Sequence, residues 1–543
     1  GVSRLDSLFS DVVIFGPDSA ADVLCDISRW RRLGGALCAC TSDSGINRSA
    51  VWRYLRRCDA LSASLAFAIR DDNPAHVFAV LDRLRSKSGD KLNDYANLVS
   101  AICVVHDEPL TRQIHDNKVG PIDPVELLGY FVKNEKRMQF GVRKMPTELL
   151  IYVVDSTAPP DQLEWALHQY GNDAALANRY FQITYDYSAL QSGKRAVSDM
   201  GLTLQNIALV GGVCADQAYF AAHVGKAMGI PTTYTVGAAS QWSHAWLEYL
   251  EARGSQPVWN AEAGRYEEYR HVCGSVVDPQ SRKDVPDADV AILAECSRVD
   301  SSARYRSAAL CDAAEMLGST KPGPATRPLV VGTVSGTRRR VRSANVESQL
   351  ELLEQSLRQN PAHLPAWKLL AKLSGDDRLS LEQKRKWAQV VTKLCGTKYP
   401  DFAIVMLRPM IKSVDSPSEE IRFWEEAFQM FVSRPDIAAA VRMEQAALLR
   451  KSGKQKDAVQ CYTDILTRYS NSGPCVIDAL YEAGVVLYSI NRQADYLVLC
   501  EQTWKRITTP TWQGSPFLDQ SNWFRIGTMY ADALAQAGRG ADA

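Results

Sequence analysis

The sequence predicts a multidomain α+β protein: a mainly helical N-terminal part, a central helix packed on an antiparallel sheet, and a C-terminal helical solenoid. Three observations predict it. Apolar residues recur at three-to-four spacing between residues 56 and 170, as on one face of a helix. From Phe181 the period changes, and short extended runs alternate with one long helical stretch. Beyond a Gly- and Pro-rich segment, helical spacing returns and persists to the end. The expected boundaries are 1–179, 180–316, 317–343 and 344–543, in keeping with 543 residues at the usual chain length per domain.

Taken in order, residues 1–55 carry little pattern, and Asp11-Val12-Val13-Ile14-Phe15-Gly16-Pro17 reads as a short strand or a loop. Pro74 opens a helix with Val77, Phe78, Leu81 and Leu84 on one face, and Asp90 is the expected cap of the next, carrying Leu92, Tyr95, Leu98, Val99, Ile102 and Val105. Pro124, Pro146 and Pro160 each stand where a proline starts a helix. Ile183–Tyr187 reads as a strand and Gln191–Arg195 as a polar loop. A helix is expected from Cys214 to Met228, stopped by Gly229-Ile230-Pro231. Strands follow over 232–237, 244–250 and 257–260. The glycines and prolines of 317–345 predict a connector, with Arg338-Arg339-Arg340-Val341-Arg342 as a solvated basic run and Leu329-Val330-Val331 as a short extended piece.

Bulk properties exclude several functions. Lys+Arg and Asp+Glu number 62 each, so the whole chain has no electrostatic pull toward nucleic acid or anionic membrane. No apolar run approaches the roughly 20 residues of a membrane helix. The 13 cysteines are odd in number and lack a disulfide rhythm, and Cys38-Ala39-Cys40 fits neither a zinc nor a thioredoxin spacing. Free buried thiols favour a reducing compartment, whereas a chain beginning at Gly1 keeps export with a removed signal open. No phosphate loop or metal-ligand spacing is present, so no cofactor or metal is expected.

The stretch Gly211-Gly212-Val213-Cys214-Ala215-Asp216-Gln217-Ala218 places a cysteine at a helix start, where free N–H groups favour an anion and are expected to lower a thiol pKa. Ser243-His244-Ala245-Trp246 offers a base, the partner a nucleophilic thiol needs. Together with Gly229-Ile230-Pro231, Glu248 and the strand ending Val258-Trp259-Asn260, these residues resemble the transglutaminase-like superfamily, related to papain-like proteases. The resemblance covers about residues 180–290. It implies Cys214 as nucleophile and His244 as general base. The family's third member is an aspartate; here Asn260 stands sixteen residues after His244, with Glu262 and Asp278 as alternatives. Oxyanion donors are expected from the Cys214 N–H and a side-chain amide such as Gln205. Trp242, Trp246 and Trp259 are expected to wall the cleft, Asp216 and Gln217 to support the helix start, and Arg265 and Tyr266 either to shape the cleft or to brace the sheet.

Near the end, Trp523-x-x-Ile526-Gly527-x-x-Tyr530 has the first-helix spacing of a tetratricopeptide repeat. Gly453, Ala458 and Tyr462 match that repeat's turn and second helix, Gly484 and Asn491 fall one repeat further on, and Asn360-Pro361 with Ala366-Trp367-x-x-Leu370 resembles a repeat junction. The expected function is cysteine-dependent acyl transfer, as amide hydrolysis or transamidation on a protein or peptide substrate, with the repeats holding a protein partner. The competing reading is an inactive core serving as a scaffold.

Overall fold

A computed structural model of the protein describes residues 21–543, apart from 42–43, 174, 240–241, 255, 267–272, 320–336, 377, 397, 413, 415, 472–474 and 510–517. The expected strand or loop at Asp11–Pro17 and the extended piece at Leu329–Val331 lie outside these residues, as does most of the 317–343 connector. The chain is mixed α and β and mostly helical, with a small antiparallel sheet. Two compact units form: the first holds residues 1–236, 244–264 and 275–372, the second 237–243, 265–274 and 373–543. Among the described residues no helix is long and apolar enough to cross a membrane.

In the first unit the central helices are apolar on nearly every side, not amphipathic. Helix α1 (Ala96–Val105) and helix α2 (Thr147–Val154) each bury every residue but one, and they pack on one another. The helix expected from Asp90 begins instead as a tighter 3-10 turn over Gly89–Tyr95 and becomes α-helical at Ala96. Prolines behave as the sequence suggests: Pro124 and Pro160 occupy first helical positions, and Asp123 caps the former by accepting the Val125 N–H at 2.7 Å. A hairpin that sequence periodicity does not reveal, β1 (Arg112–Ile114) and β2 (Asn117–Val119), follows α1. Helix α3 (Leu204–Val210) leads into helix α4 (Cys214–Ala227), in which every residue after Cys214 is buried. The expected helix thus ends one residue early, with Met228 as its cap.

The sheet has strands β3 (Thr232–Ala239), β4 (Trp242–Arg253), β5 (Gln256–Ala263), β6 (Ser275–Val277) and β7 (Asp284–Pro286), ordered β5-β4-β3-β6-β7. Ile183–Tyr187 is not a strand. Tyr185 makes a single bridge to Gly212, and a short helix begins at Tyr187. Polar groups buried against α4 are paired. Lys226 forms an ion pair with Asp155 and donates to the carbonyls of Tyr152 (2.8 Å) and Thr232 (2.9 Å). Beside it His223 and Tyr219 share the Thr157 hydroxyl, at 3.2 and 3.3 Å.

The second unit is a run of helices: α5 (Leu381–Val391), α6 (Pro400–Lys412), α7 (Pro417–Met430), α8 (Pro435–Lys451), α9 (Gln455–Arg468), α10 (Cys475–Ser489), α11 (Gln493–Arg506) and α12 (Asn522–Gln536). Each packs on the next, and α8 also meets α10, as α9 meets α11 and α10 meets α12. Gly453 and Asn491 take the left-handed conformation (φ 75° and 57°) in the turns after α8 and α10. Gly484 of α10 is a packing residue: a Cβ there would lie 2.8 Å from the Tyr496 ring of α11.

Candidate active site

The Gly-Gly-Val loop is shaped by its contacts with residues 184–186. Gly211 has φ 80°, and a Cβ there would lie 2.3 Å from the Thr184 carbonyl oxygen. Gly212 donates to that carbonyl at 3.0 Å, and its own carbonyl accepts the Asp186 N–H at 3.0 Å. A Cβ on Gly212 would fall 2.4 Å from the Asp216 Cβ. Val213 is the N-cap and has no side-chain acceptor to offer. Asp216, at the third helical position, accepts the Val213 N–H at 3.0 Å. Cys214 is therefore the first helical residue, held from both sides.

Asp216 is fully buried and paired with Arg195, which is 5% exposed. Burial pushes its carboxyl up, while the Arg195 guanidinium and the Val213 N–H pull it back. Arg195 also bonds Asp116, Asn117 (2.6 Å) and the Ile114 carbonyl (3.2 Å), so it clips the β1–β2 hairpin to the start of α4. Gln217 donates to the Ile183 carbonyl at 2.8 Å and is thus a structural support. Of the residues that sequence reasoning misses, Arg195 sits in the polar loop. The hairpin's one signal is the turn pair His115-Asp116 between short alternating runs.

The backbone N–H groups of Ala245, Ala215 and Cys214 itself each act to lower the pKa of the Cys214 thiol. The helix start is expected to lower this thiol pKa. Instead burial dominates and pushes it up, and the three N–H groups offset only part of that. His244, one residue before Ala245, is 6% exposed. Its Nε2 lies 2.6 Å from the Gly264 carbonyl oxygen, which can only accept, so Nε2 carries a proton. Burial pulls the imidazole pKa down, and the Gly264 carbonyl raises it in part.

Asn260 does not serve His244. It stands opposite Tyr249 across β4 and β5, donates to the Tyr249 hydroxyl and to Glu251 Oε2 at 3.3 Å each, and accepts the Glu262 N–H at 2.9 Å. Alternation along β4 puts Tyr249 on the face opposite His244, which sends Asn260 away from the imidazole. Asp278 closes the turn between β6 and β7, accepting from Gln280 (3.0 Å) and Ser281 (2.7 Å). Glu262 is exposed. The carbonyl of Gly264 takes the position assigned to a side chain.

The carboxylate on the His244 face of β4 is Glu248, fully buried, which accepts the indole N–H groups of Trp246 (2.8 Å) and Trp259 (2.9 Å). Trp246 stacks on His244 at 6.1 Å and is itself wholly buried, so it forms core and not the wall of an open cleft. The Trp242 side chain lies outside the described residues. Gln205, in the first turn of α3, has a buried Oε1 with no hydrogen-bond partner among the described residues. Among the described residues no cluster of His, Cys, Asp and Glu could hold a metal ion. Comparison of the chain with family models, with curated protein sequences and with solved structures returned no match.

Proposed function

We propose that the first unit is a cysteine-dependent acyl-transfer enzyme acting on peptide-like amides. One observation carries this reading: Cys214 is the first residue of a helix, and the backbone N–H groups that favour its thiolate include that of Ala245, the residue after a buried histidine whose Nε2 meets a carbonyl. In the reaction, sulfur attacks the carbonyl carbon while His244 Nδ1 takes the thiol proton, forming an S–C bond and a tetrahedral oxyanion. In this reading the backbone N–H groups at the helix start receive that charge. The C–N bond then breaks, the amine leaves with the proton from His244, and the thioester passes to water or to an amine. Helices α5–α12 are proposed as tetratricopeptide-like repeats that bind a protein partner.

The scaffold reading has its own support, because burial raises the thiol pKa and lowers that of the imidazole, which disfavours a standing ion pair. Competitive alkylation separates the two, with the exposed Cys38 as internal standard. A base-assisted Cys214 is alkylated faster than Cys38 near pH 8, and His244→Ala slows Cys214 by about 100-fold, the usual scale of general-base assistance, without changing Cys38. Equal rates at both cysteines, unaltered by His244→Ala, establish the scaffold.

A further inference from the structure

Glu248 and the rings around it form a series of contacts that ends on the imidazole. Alternation along β4 sends His244, Trp246 and Glu248 to one face, each two residues from the next. Trp246 is wholly buried, so its indole N–H needs an acceptor inside the protein, and Glu248 Oε1 supplies one at 2.8 Å. The same ring lies beside the imidazole, with centroids 6.1 Å apart and planes inclined by 28°. Glu248 Oε2 accepts a second indole N–H, that of Trp259 on β5, at 2.9 Å. The Trp259 ring in turn meets the Tyr152 ring of α2 edge-on at 6.4 Å. Each oxygen of one carboxylate thus takes one indole donor. An amide of the same shape has a single acceptor oxygen and would turn its N–H groups toward the other indole, so this pair of donors suits a carboxylate. Withdrawing a carboxylate from water is unfavourable, and what the arrangement gains is a Trp246 ring of fixed orientation. The imidazole is then held at two places, at Nε2 by the Gly264 carbonyl and along its ring by Trp246.

We infer that Glu248 is a positioning residue for the general base: by fixing the Trp246 indole it sets the plane of the His244 imidazole. This role rests on the acyl-transfer reading, and its test keeps the two apart. Glu248→Met fills the same space and removes both acceptors. The ring protons of His244, displaced by the ring current of Trp246, are expected to move in the NMR spectrum of this variant, which reads the clamp whether or not Cys214 is reactive. Alkylation of Cys214 by iodoacetamide near pH 8 is expected to slow by about tenfold, the scale of one buried donor left without its acceptor, with the exposed Cys38 unchanged. In the His244→Ala background the same substitution should slow Cys214 no further, because a residue that acts only through the imidazole then has nothing to act on. Glu248→Gln combined with Trp259→Phe leaves one acceptor oxygen to one indole donor, and it is expected to keep the rate within about twofold of wild type. Should Glu248→Met fail to fold, Trp246→Phe cuts the same link from its other end, keeps the core filled with a ring, and is expected to slow Cys214 in the presence of His244 alone. Unmoved His244 protons, slowing that is equal with and without His244, or no recovery in Glu248→Gln with Trp259→Phe overturns the role of Glu248 while the enzyme reading stands. A Cys214 no faster than Cys38 and insensitive to His244→Ala overturns both.

Discussion

Arg195 offers the sharpest test of how the nucleophile is held. Its guanidinium is 5% exposed and its partner Asp216 is fully buried, so screening by water is weak. Arg195→Leu leaves the Asp216 carboxylate with the Val213 N–H and the helix start as its remaining support. Breaking a buried pair from one side typically costs about 3–5 kcal/mol, because a charge is left without its counterion. Loss of the bonds to Asn117 and the Ile114 carbonyl adds to this by freeing the hairpin. Taking about 3 kcal/mol, the opening constant of the α4 start rises by roughly 150-fold at one decade per 1.36 kcal/mol. Hydrogen exchange at the amides of residues 213–217 reads it directly.

The pH dependence follows from the sign of the shift. In the variant, Asp216 has a folded pKa above its unfolded value, so its penalty is absent at low pH and grows as pH rises through the unfolded pKa, near 3.9, toward the folded one. The exchange defect of Arg195→Leu therefore shrinks as the solution is taken from pH 7 toward pH 4. Asp216→Asn in the Arg195→Leu background removes the charge and restores protection by tenfold or more, about 1.4 kcal/mol. If the double variant exchanges as fast as the single one at pH 7, the buried charge is not the cause and the reasoning fails.

Two further outcomes concern the rest of the molecule. Burial holds the Lys226 amine down, to about 8, against the support of Asp155. A base with a depressed folded pKa gains stability for the fold as pH rises from that value toward the unfolded one. The stability of wild type relative to Lys226→Met should accordingly grow by on the order of 3 kcal/mol between pH 8 and 10.4, measured by exchange at core amides of α4; a flat difference refutes it. In the second unit, Gly484→Ala sets a methyl group 2.8 Å from the Tyr496 ring. It should cost about 1–3 kcal/mol, seen as faster exchange in α10 and α11, and unchanged protection there contradicts the close packing.

Much of the helical plan is legible in the amino-acid sequence, because proline at the first turn and apolar spacing are local signals. Pro124 and Pro160 show this, as does the start at Cys214. The fully apolar α1 and α2 are less legible, since burial on every side erases the period. Ile183–Tyr187 misleads for a different reason: its β-forming residues meet a loop at Gly212 and have no neighbouring strand to extend the pairing. At the site, Cys214 and His244 are visible as residue types at a spacing, whereas Arg195 and Asp116 come together only through a contact distant in the chain. The direction of the thiol pKa escapes sequence reasoning because helix position is a sequence property and desolvation is not. Asn260 fails on parity: counting residues from His244 ignores which face of the sheet a side chain leaves from.

The bond from His244 to a main-chain carbonyl has a consequence for how such a site evolves and how it is mapped. The acceptor is an atom every residue possesses, so no substitution at residue 264 removes it. What varies instead is the path of the backbone. Gly264 has φ 84°, and a Cβ there would lie 2.5 Å from the Tyr180 ring, whose hydroxyl in turn donates to the Ala245 carbonyl at 2.9 Å. The orientation of the imidazole is thus written into the packing of a tyrosine against a glycine. A methyl group at residue 264 would disturb it as surely as the loss of a carboxylate does elsewhere, yet without altering a single ionisable group.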